Sequence, residues 1–284
     1  EKENLDIALH AVKNNIHQVI AKADASEIKQ IFRAHLEMLD DPDLINGVYQ
    51  KIYQNHGVNQ LSEVSSKDLY EFKRTLRELS EKCEIPVAMT LLGLGAIPSL
   101  HEMSLEMLGM HGTVYANYGV HYSDLVIGIG MRFDDRITGD TKQFCPNAKV
   151  IHIDIDPAEI SKNINADIPI VGDVKNVLIE LLKEVKEKKH PEWMEQVKEW
   201  KNKYPLQYTK KENEIKAQQA IEAISRITKG EAVVITDVGQ HQMWTAQYYK
   251  FNKAGNFCSS GGAGTMGFGV PAGMGAQIGR PNDI

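Results

Sequence analysis

The chain has 284 residues, which at roughly 100–200 residues per domain predicts two domains or three smaller ones. Its 42% hydrophobic and 25% charged content is that of an ordinary globular protein and excludes disordered, collagen-like and fibrous chains. A net charge of -6 without a dense basic cluster argues against nucleic acid as a partner, and no apolar run approaches the roughly 20 residues that cross a bilayer, so no membrane is expected and the chain reads as cytoplasmic.

The first stretch is helical by periodicity. Leu5, Leu9, Val12, Ile16 and Ile20 form one apolar stripe, and Ile28, Ile31, Phe32, His35, Leu36 and Leu39 form a second. The turn signal Asp40-Asp41-Pro42 then opens a third helix, with Asp41 as its cap and an apolar face of Leu44, Ile45, Val48, Tyr49 and Ile52. Residues 1–56 are therefore a helical segment, expected to fold as a docking unit. A further amphipathic helix, with Leu69, Phe72, Leu76, Leu79 and Cys83, leads into the strand Ile85-Pro-Val-Ala-Met-Thr90. Three more buried strands are predicted at Asp124–Gly130, Val150–Asp154 and Ile168–Val171, separated by helix-sized segments. This alternation makes 57–180 an α/β domain, a doubly wound parallel sheet with helices on both faces. The Lys- and Glu-rich stretch after it predicts a closing helix, a charged linker over 181–215 and another helix. A new α/β unit, 216–284, opens at Glu231-Ala-Val-Val-Ile-Thr-Asp237, with room for one strand and one helix, and is incomplete. The three cysteines, Cys83, Cys145 and Cys258, form no CxxC pair, so buried thiols are expected, with no metal site or disulfide framework.

Ligands of a doubly wound sheet bind outside the carboxyl ends of its strands. Those positions carry Gly130, Arg132, Asp134, Asp135 and Arg136 after one strand, Asp154, Asp156 and Pro157 after the next, and Gly172 and Asp173 after the third. Glycines admit a diphosphate to the backbone, arginines pair its charge, and a strand-end carboxylate can accept ribose hydroxyls, which together describe a dinucleotide site. The alternative is that Asp156 and Asp173 cap the next helices and the arginines pair with surface carboxylates. No GxGxxG fingerprint follows these three strands to support a nicotinamide site there. A second constellation is Thr236-Asp-Val-Gly-Gln-His-Gln-Met-Trp244, with Ser259-Ser-Gly-Gly-Ala-Gly-Thr-Met-Gly-Phe-Gly269 after it. Here a polar loop leaves a strand, and a loop with five glycines opens a helix, so bare N–H groups and a helix N-terminus can hold phosphate. By glycine content alone the second loop reads as merely flexible.

From about Ile85 to Ile284 the stretches PVAMTLLGLGAIPS, MLGMHGTVYANY, GIGMRFDDRITG, VIHIDIDPAEISKN, ADIPIVGD, TDVGQHQMW and GGAGTMGFGVPAGMGAQ resemble the catalytic large subunit of acetolactate synthase. The resemblance implies a thiamine-diphosphate enzyme whose middle domain binds FAD in a role without redox chemistry. Its reaction joins pyruvate to a second pyruvate or to 2-ketobutyrate in branched-chain amino acid biosynthesis, in a homo-oligomer with a regulatory small subunit. FAD contacts are implied at Thr90, Leu91, Met110, the stretch His111 to Arg132 including Gly130, Asp134, Arg136, and the stretch Asp154 to Asp173 including Asp156 and Gly172. Gly239, Gln240 and His241 resemble the contacts of the thiamine diphosphate, Gly264 and Met266 the wedge that bends it, and Trp244 the tryptophan of the substrate channel. Catalytic roles are thus implied for Gln240, His241, Met266 and Trp244.

The departures bear on activity. The family's N-terminal domain, with the glutamate that protonates the aminopyrimidine, has no counterpart here, and the ligands of its magnesium lie beyond Ile284, so this chain alone is expected to be inactive. In that domain's place IFRAHLEMLDDPDLINGVYQKI resembles the helical carrier-docking domain of the sugar phosphotransferase system's Enzyme I, with His35 read as a packing or docking residue. The alternative function is a non-catalytic flavin-binding and docking chimera.

Overall fold

A computed structural model of the chain describes residues 66–284. The three helical stripes of 1–56, His35 and the boundary at 57 lie outside the described residues.

Helix α1 (Ser66–Cys83) turns Leu76, Leu79 and Cys83 into the core and carries the i,i+4 pairs Arg74–Glu78 and Arg77–Glu81, both at 2.7 Å, on its solvent side. Pro86 prevents its continuation, and β1 (Val87–Met89) comes next, then a 3₁₀ turn (Leu91–Gly93) and β2 (Ser104–Met107). β2 reads as no alternating pattern because all four of its residues are buried. The chain continues through α2 (Val114–His121), β3 (Leu125–Ile129), α3 (Asp135–Thr138), β4 (Lys149–Asp154), β5 (Ile168–Val171), α4 (Val174–Glu184), α5 (Pro191–Lys203) and α6 (Ala217–Ile227). It ends with β6 (Val234–Ile235), α7 (Gln240–Tyr248), β7 (Phe257–Cys258) and α8 (Gly269–Gly279).

Every strand pairing among the described residues is parallel, as the alternation predicts: β1 with β2, β3-β4-β5 in that order, and β6 with β7. One face of the three-stranded sheet packs on α4 through Ile129 and the fully buried Leu178. The other face is covered by the segment holding Phe133, Phe144 and Cys145 together with Val120 of α2. Gly128 makes this possible, since a Cβ there would lie 2.4 Å from the Phe133 ring.

Three expectations on organisation are corrected. The span 181–215 read as a linker holds α5, because Val197, Trp193 and Trp200 bury an apolar stripe against Leu105, Tyr115 and Ala116. The last unit contains two strands and three helices, the second strand, β7, being only two residues long and hence without a periodic signature. Finally, the sheets of 57–180 and 216–284 share one core: Met89, Leu94, Ile97, Met103 and Met107 pack against Ala232, Ala246, Tyr249, Phe251 and Phe257. Residues Lys67–Ile284 accordingly form a single unit. Cys83 and Cys145 are buried as expected, and burial pushes the Cys145 thiol up to about 11, whereas Cys258 is half-exposed.

Candidate functional site

The carboxyl ends of β3, β4 and β5 gather the predicted strand-end residues along one edge. Gly130 donates to the Ile153 carbonyl at 2.8 Å and Gly172 to the Asp154 carbonyl at 2.9 Å, so both glycines continue the ladder before the chain turns away. Gly130 has φ 57°, a left-handed conformation that glycine adopts without strain. Beyond it Asp134 caps α3 by accepting from the Ile137 N–H at 3.3 Å. Asp173 caps α4 from the Asn176 N–H at 3.0 Å, while Asp156 accepts from Ala158 at 2.8 Å. Buried Asp154 accepts from Asp156 at 2.9 Å. Asp134 and Asp173 thus cap the helices that follow them, whereas Asp156 heads a turn with no helix after it. The arginines behave likewise: Arg132 lies 3.2 Å from Asp134 and Arg136 3.3 Å from Asp135. Their side chains remain 61% and 70% exposed, so each guanidinium is held by one weak surface pair and is free to turn to a stronger anion.

The turn after β2 joins this edge. Met110 donates to the Arg136 carbonyl at 2.8 Å, and a Cβ on Gly109 would sit 2.4 Å from the same oxygen. Asn117 braces the turn from α2: its amide donates to Gly109 and Thr113 carbonyls at 3.1 and 2.9 Å and its oxygen accepts from the Gly109 N–H at 3.2 Å. Met110 and His111 stand exposed on the turn. Thr90, at the end of β1, spends its hydroxyl capping the 3₁₀ turn, accepting from Gly93 at 3.2 Å, with half-buried Leu91 next to it.

The second constellation borders the first. A Cβ on Gly261 would lie 3.2 Å from Leu91, and Gln247 of α7 donates to the His111 carbonyl at 2.9 Å. Gly239, with φ 151°, opens α7, whose N-terminus has no side-chain cap, and Gln240 and His241 stand exposed in its first turn. The His241 ring lies over Gly239, 3.3 Å from where a Cβ would be. Trp244 is half-buried in the second turn. The glycine loop does not leave all its amides bare: Asp237 accepts from Gly267 with both oxygens, at 2.9 and 2.8 Å. The N–H donors of Val238, Gly267 and Phe268 and the nearby His241 hold the Asp237 carboxyl below the usual carboxylate range. Gly264, with φ 67°, and Met266, 82% exposed, project from this loop.

Two networks escaped the sequence reading. Buried Thr236 donates to Ser259 at 2.9 Å and buried Gln242 donates to the same hydroxyl at 2.5 Å, so α7 is tied to the ends of both β6 and β7. Gln242 stands two positions from Gln240 and so faces inward, which is the helical offset that a motif read as a string conceals. The other network is the buried carboxylate of Glu106, bonded by Tyr115 and Lys250.

Residues 67–181 match the family described as thiamine pyrophosphate enzyme, central domain, and residues 237–284 its C-terminal TPP binding domain. Residues 1–70 match PEP-utilising enzyme, N-terminal. The chain is 47% identical over 234 residues to the acetolactate synthase large subunit of Buchnera aphidicola subsp. Schizaphis graminum, covering 81% of this chain and 39% of that protein. It is 46% identical over 215 residues to acetolactate synthase isozyme 3 large subunit of Escherichia coli, and 48% identical over 215 to acetolactate synthase 1, chloroplastic, of Nicotiana tabacum. These alignments take in 73% and 74% of this chain, which spans only 38% and 32% of those relatives.

Proposed function

We propose that this chain, over most of its length a homologue of acetolactate synthase large subunits, carries the flavin-side and thiamine-side surfaces of a carboligase that joins pyruvate to a second pyruvate or to 2-ketobutyrate. The reading includes FAD along the β3-β4-β5 edge in a structural role, thiamine diphosphate at the start of α7, branched-chain amino acid biosynthesis, a cytoplasmic location, and a homo-oligomer with a regulatory small subunit. The observation that supports it most is the border between the two constellations, where Gly261 meets Leu91 and Gln247 meets His111.

The residues fit both organic cofactors. Exposed Arg132 and Arg136, with Gly130 and Gly172 lacking a Cβ, suit the diphosphate of FAD. The uncapped N–H groups of α7 and the open approach over Gly239 suit the diphosphate of the thiamine cofactor. Magnesium is different: among the described residues no three His, Cys, Asp or Glu side chains converge on a metal position, so no step is assigned to it. Thiamine diphosphate, when bound, supplies the carbon nucleophile of the carboligation. Gln240 and His241 would hold its phosphates, Met266 would back it from the loop shaped by Gly264, and Trp244 would wall the acceptor site.

Titrating the chain with FAD and monitoring the quenching of flavin fluorescence tests the reading. Arg132→Ala removes a charge-assisted contact, with an expected loss of about 1.5–3 kcal/mol. Thiamine diphosphate should in turn quench the fluorescence of Trp244. Absence of flavin binding, or an unchanged dissociation constant in Arg132→Ala, would overturn the assignment.

A further inference from the structure

Glu106 combines three features that rarely coincide. It is 9% exposed, it lies within β2, and its φ is +60°, a left-handed conformation that costs a residue with a Cβ and is held only where surroundings enforce it. The strand is bulged there: Val87 pairs with Ser104 but Ala88 with Glu106, so Leu105 is skipped before Met89 pairs with Met107. A bulge re-aims the chain beyond it, and a ladder without one would put every later side chain on the opposite face. The segment re-aimed here is the turn of Leu108 to Gly112, whose Leu108 N–H donates to the Met89 carbonyl at 2.9 Å.

The surroundings that enforce the conformation come from two directions. The Tyr115 hydroxyl of α2 donates to one carboxylate oxygen of Glu106, and the Lys250 ammonium, just past α7, donates to the other. Burial and the Glu106 charge push the Tyr115 phenol up, so it stays protonated and remains a donor. Lys250 is itself fixed, its N–H donating to the Ser225 hydroxyl at 2.9 Å. The Ser104 hydroxyl closes the bulge by accepting from the Glu106 N–H at 3.2 Å.

We propose that Glu106 is a positioning residue for the flavin-side turn: its carboxylate, clamped by Tyr115 and Lys250, holds the β2 bulge that aims the Gly109–Gly112 backbone at the strand-end edge. The proposal rests on the flavin reading only for the identity of the ligand that the turn meets.

The test uses the full chain with Lys250→Met, the rescuing Lys250→Arg, and Glu106→Gly, which tolerates the left-handed backbone while removing the clamp. Two quantities are read: FAD affinity by fluorescence quenching, and amide hydrogen exchange of Leu108 to Gly112 in ligand-free protein. Lys250→Met and Glu106→Gly should weaken FAD about tenfold, the effect of one lost charged hydrogen bond, and accelerate exchange in the turn while α4 keeps its protection. Lys250→Arg should restore both. Unchanged exchange in the turn, or acceleration equal across turn and α4 in both variants, would overturn the proposal. If the unaltered chain binds no FAD, the flavin reading fails, and the exchange pattern alone decides the role of Glu106.

Discussion

Gly109→Ala measures how tightly the turn after β2 is locked to α3. Gly109 has φ 102°, and an added Cβ would lie 2.4 Å from the Arg136 carbonyl oxygen and 3.1 Å from the Ile137 Cα. Both obstacles are backbone, so neither can be relieved by a rotamer change. Left-handed backbone costs an alanine about 1–2 kcal/mol, and forcing the turn off α3 adds about 1–3 kcal/mol, as for an overpacked core. Loss of glycine's freedom in the unfolded chain gives back about 0.4–1 kcal/mol, leaving a net destabilisation of about 1–5 kcal/mol. Gly139→Ala is the matched control. It also has positive φ, at 58°, but nothing lies within 4 Å of its added Cβ, so only the backbone cost remains. Urea unfolding of both variants, compared through midpoints at constant slope, gives the difference directly. Gly109→Ala should be the less stable by about 1–3 kcal/mol. Equal midpoints would refute the packing of the turn on α3, and with it the continuity of the candidate flavin edge.

Phe251→Ala should cost about 3–5 kcal/mol, because Phe251 is fully buried between Tyr249 and Phe257 in the core that both halves share. Tryptophan fluorescence and far-ultraviolet circular dichroism should then shift together in one transition; two separated transitions would contradict a shared core. Asp237 is held below its ordinary range, so the stabilisation it gives the glycine loop is present above the unfolded carboxyl value near 3.9 and is lost as pH falls through the lower folded value. The Gly267 amide proton should therefore titrate in NMR with a midpoint below about 3.9, and this titration should vanish in Asp237→Asn.

The parts of this fold legible in the sequence are those whose periodicity spans several residues. Amphipathic α1 and the strands β3, β4 and β5 announce themselves, and so do the polar residues that leave the strand ends. β2 and β7 do not: β2 is buried on both faces and β7 is two residues long, so neither alternates. α5 was hidden by charge. Its Lys and Glu residues dominate the string, while the apolar stripe of Trp193, Val197 and Trp200 repeats at four and three and only packing reveals its partner. In the site, glycines and strand-end carboxylates were legible as types, but their bonds were not. Whether Asp173 caps a helix or meets a ligand depends on the N–H of Asn176, which sequence spacing suggests and only geometry decides. Glu106 was invisible, because a left-handed glutamate in a strand has no compositional signature.

The two helix N-termini of the second constellation show why a glycine-rich string underdetermines a phosphate site. By composition the loop before α8 is the stronger candidate, with five glycines against the one that opens α7. Yet Asp237 places its carboxylate on Gly267, immediately ahead of α8, and so neutralises that positive end of the helix with a charge from within the chain. A diphosphate approaching there would meet an anion first. α7 carries no such cap, its opening residue has no side chain, and His241 stands beside the gap. The same carboxylate that closes one end holds the loop of Gly264 and Met266 near the other through the N–H groups of Gly267 and Phe268. Of the two helix starts, the uncapped one of α7 therefore suits the proposed diphosphate better, and the glycines ahead of α8 let the loop bend back onto Asp237.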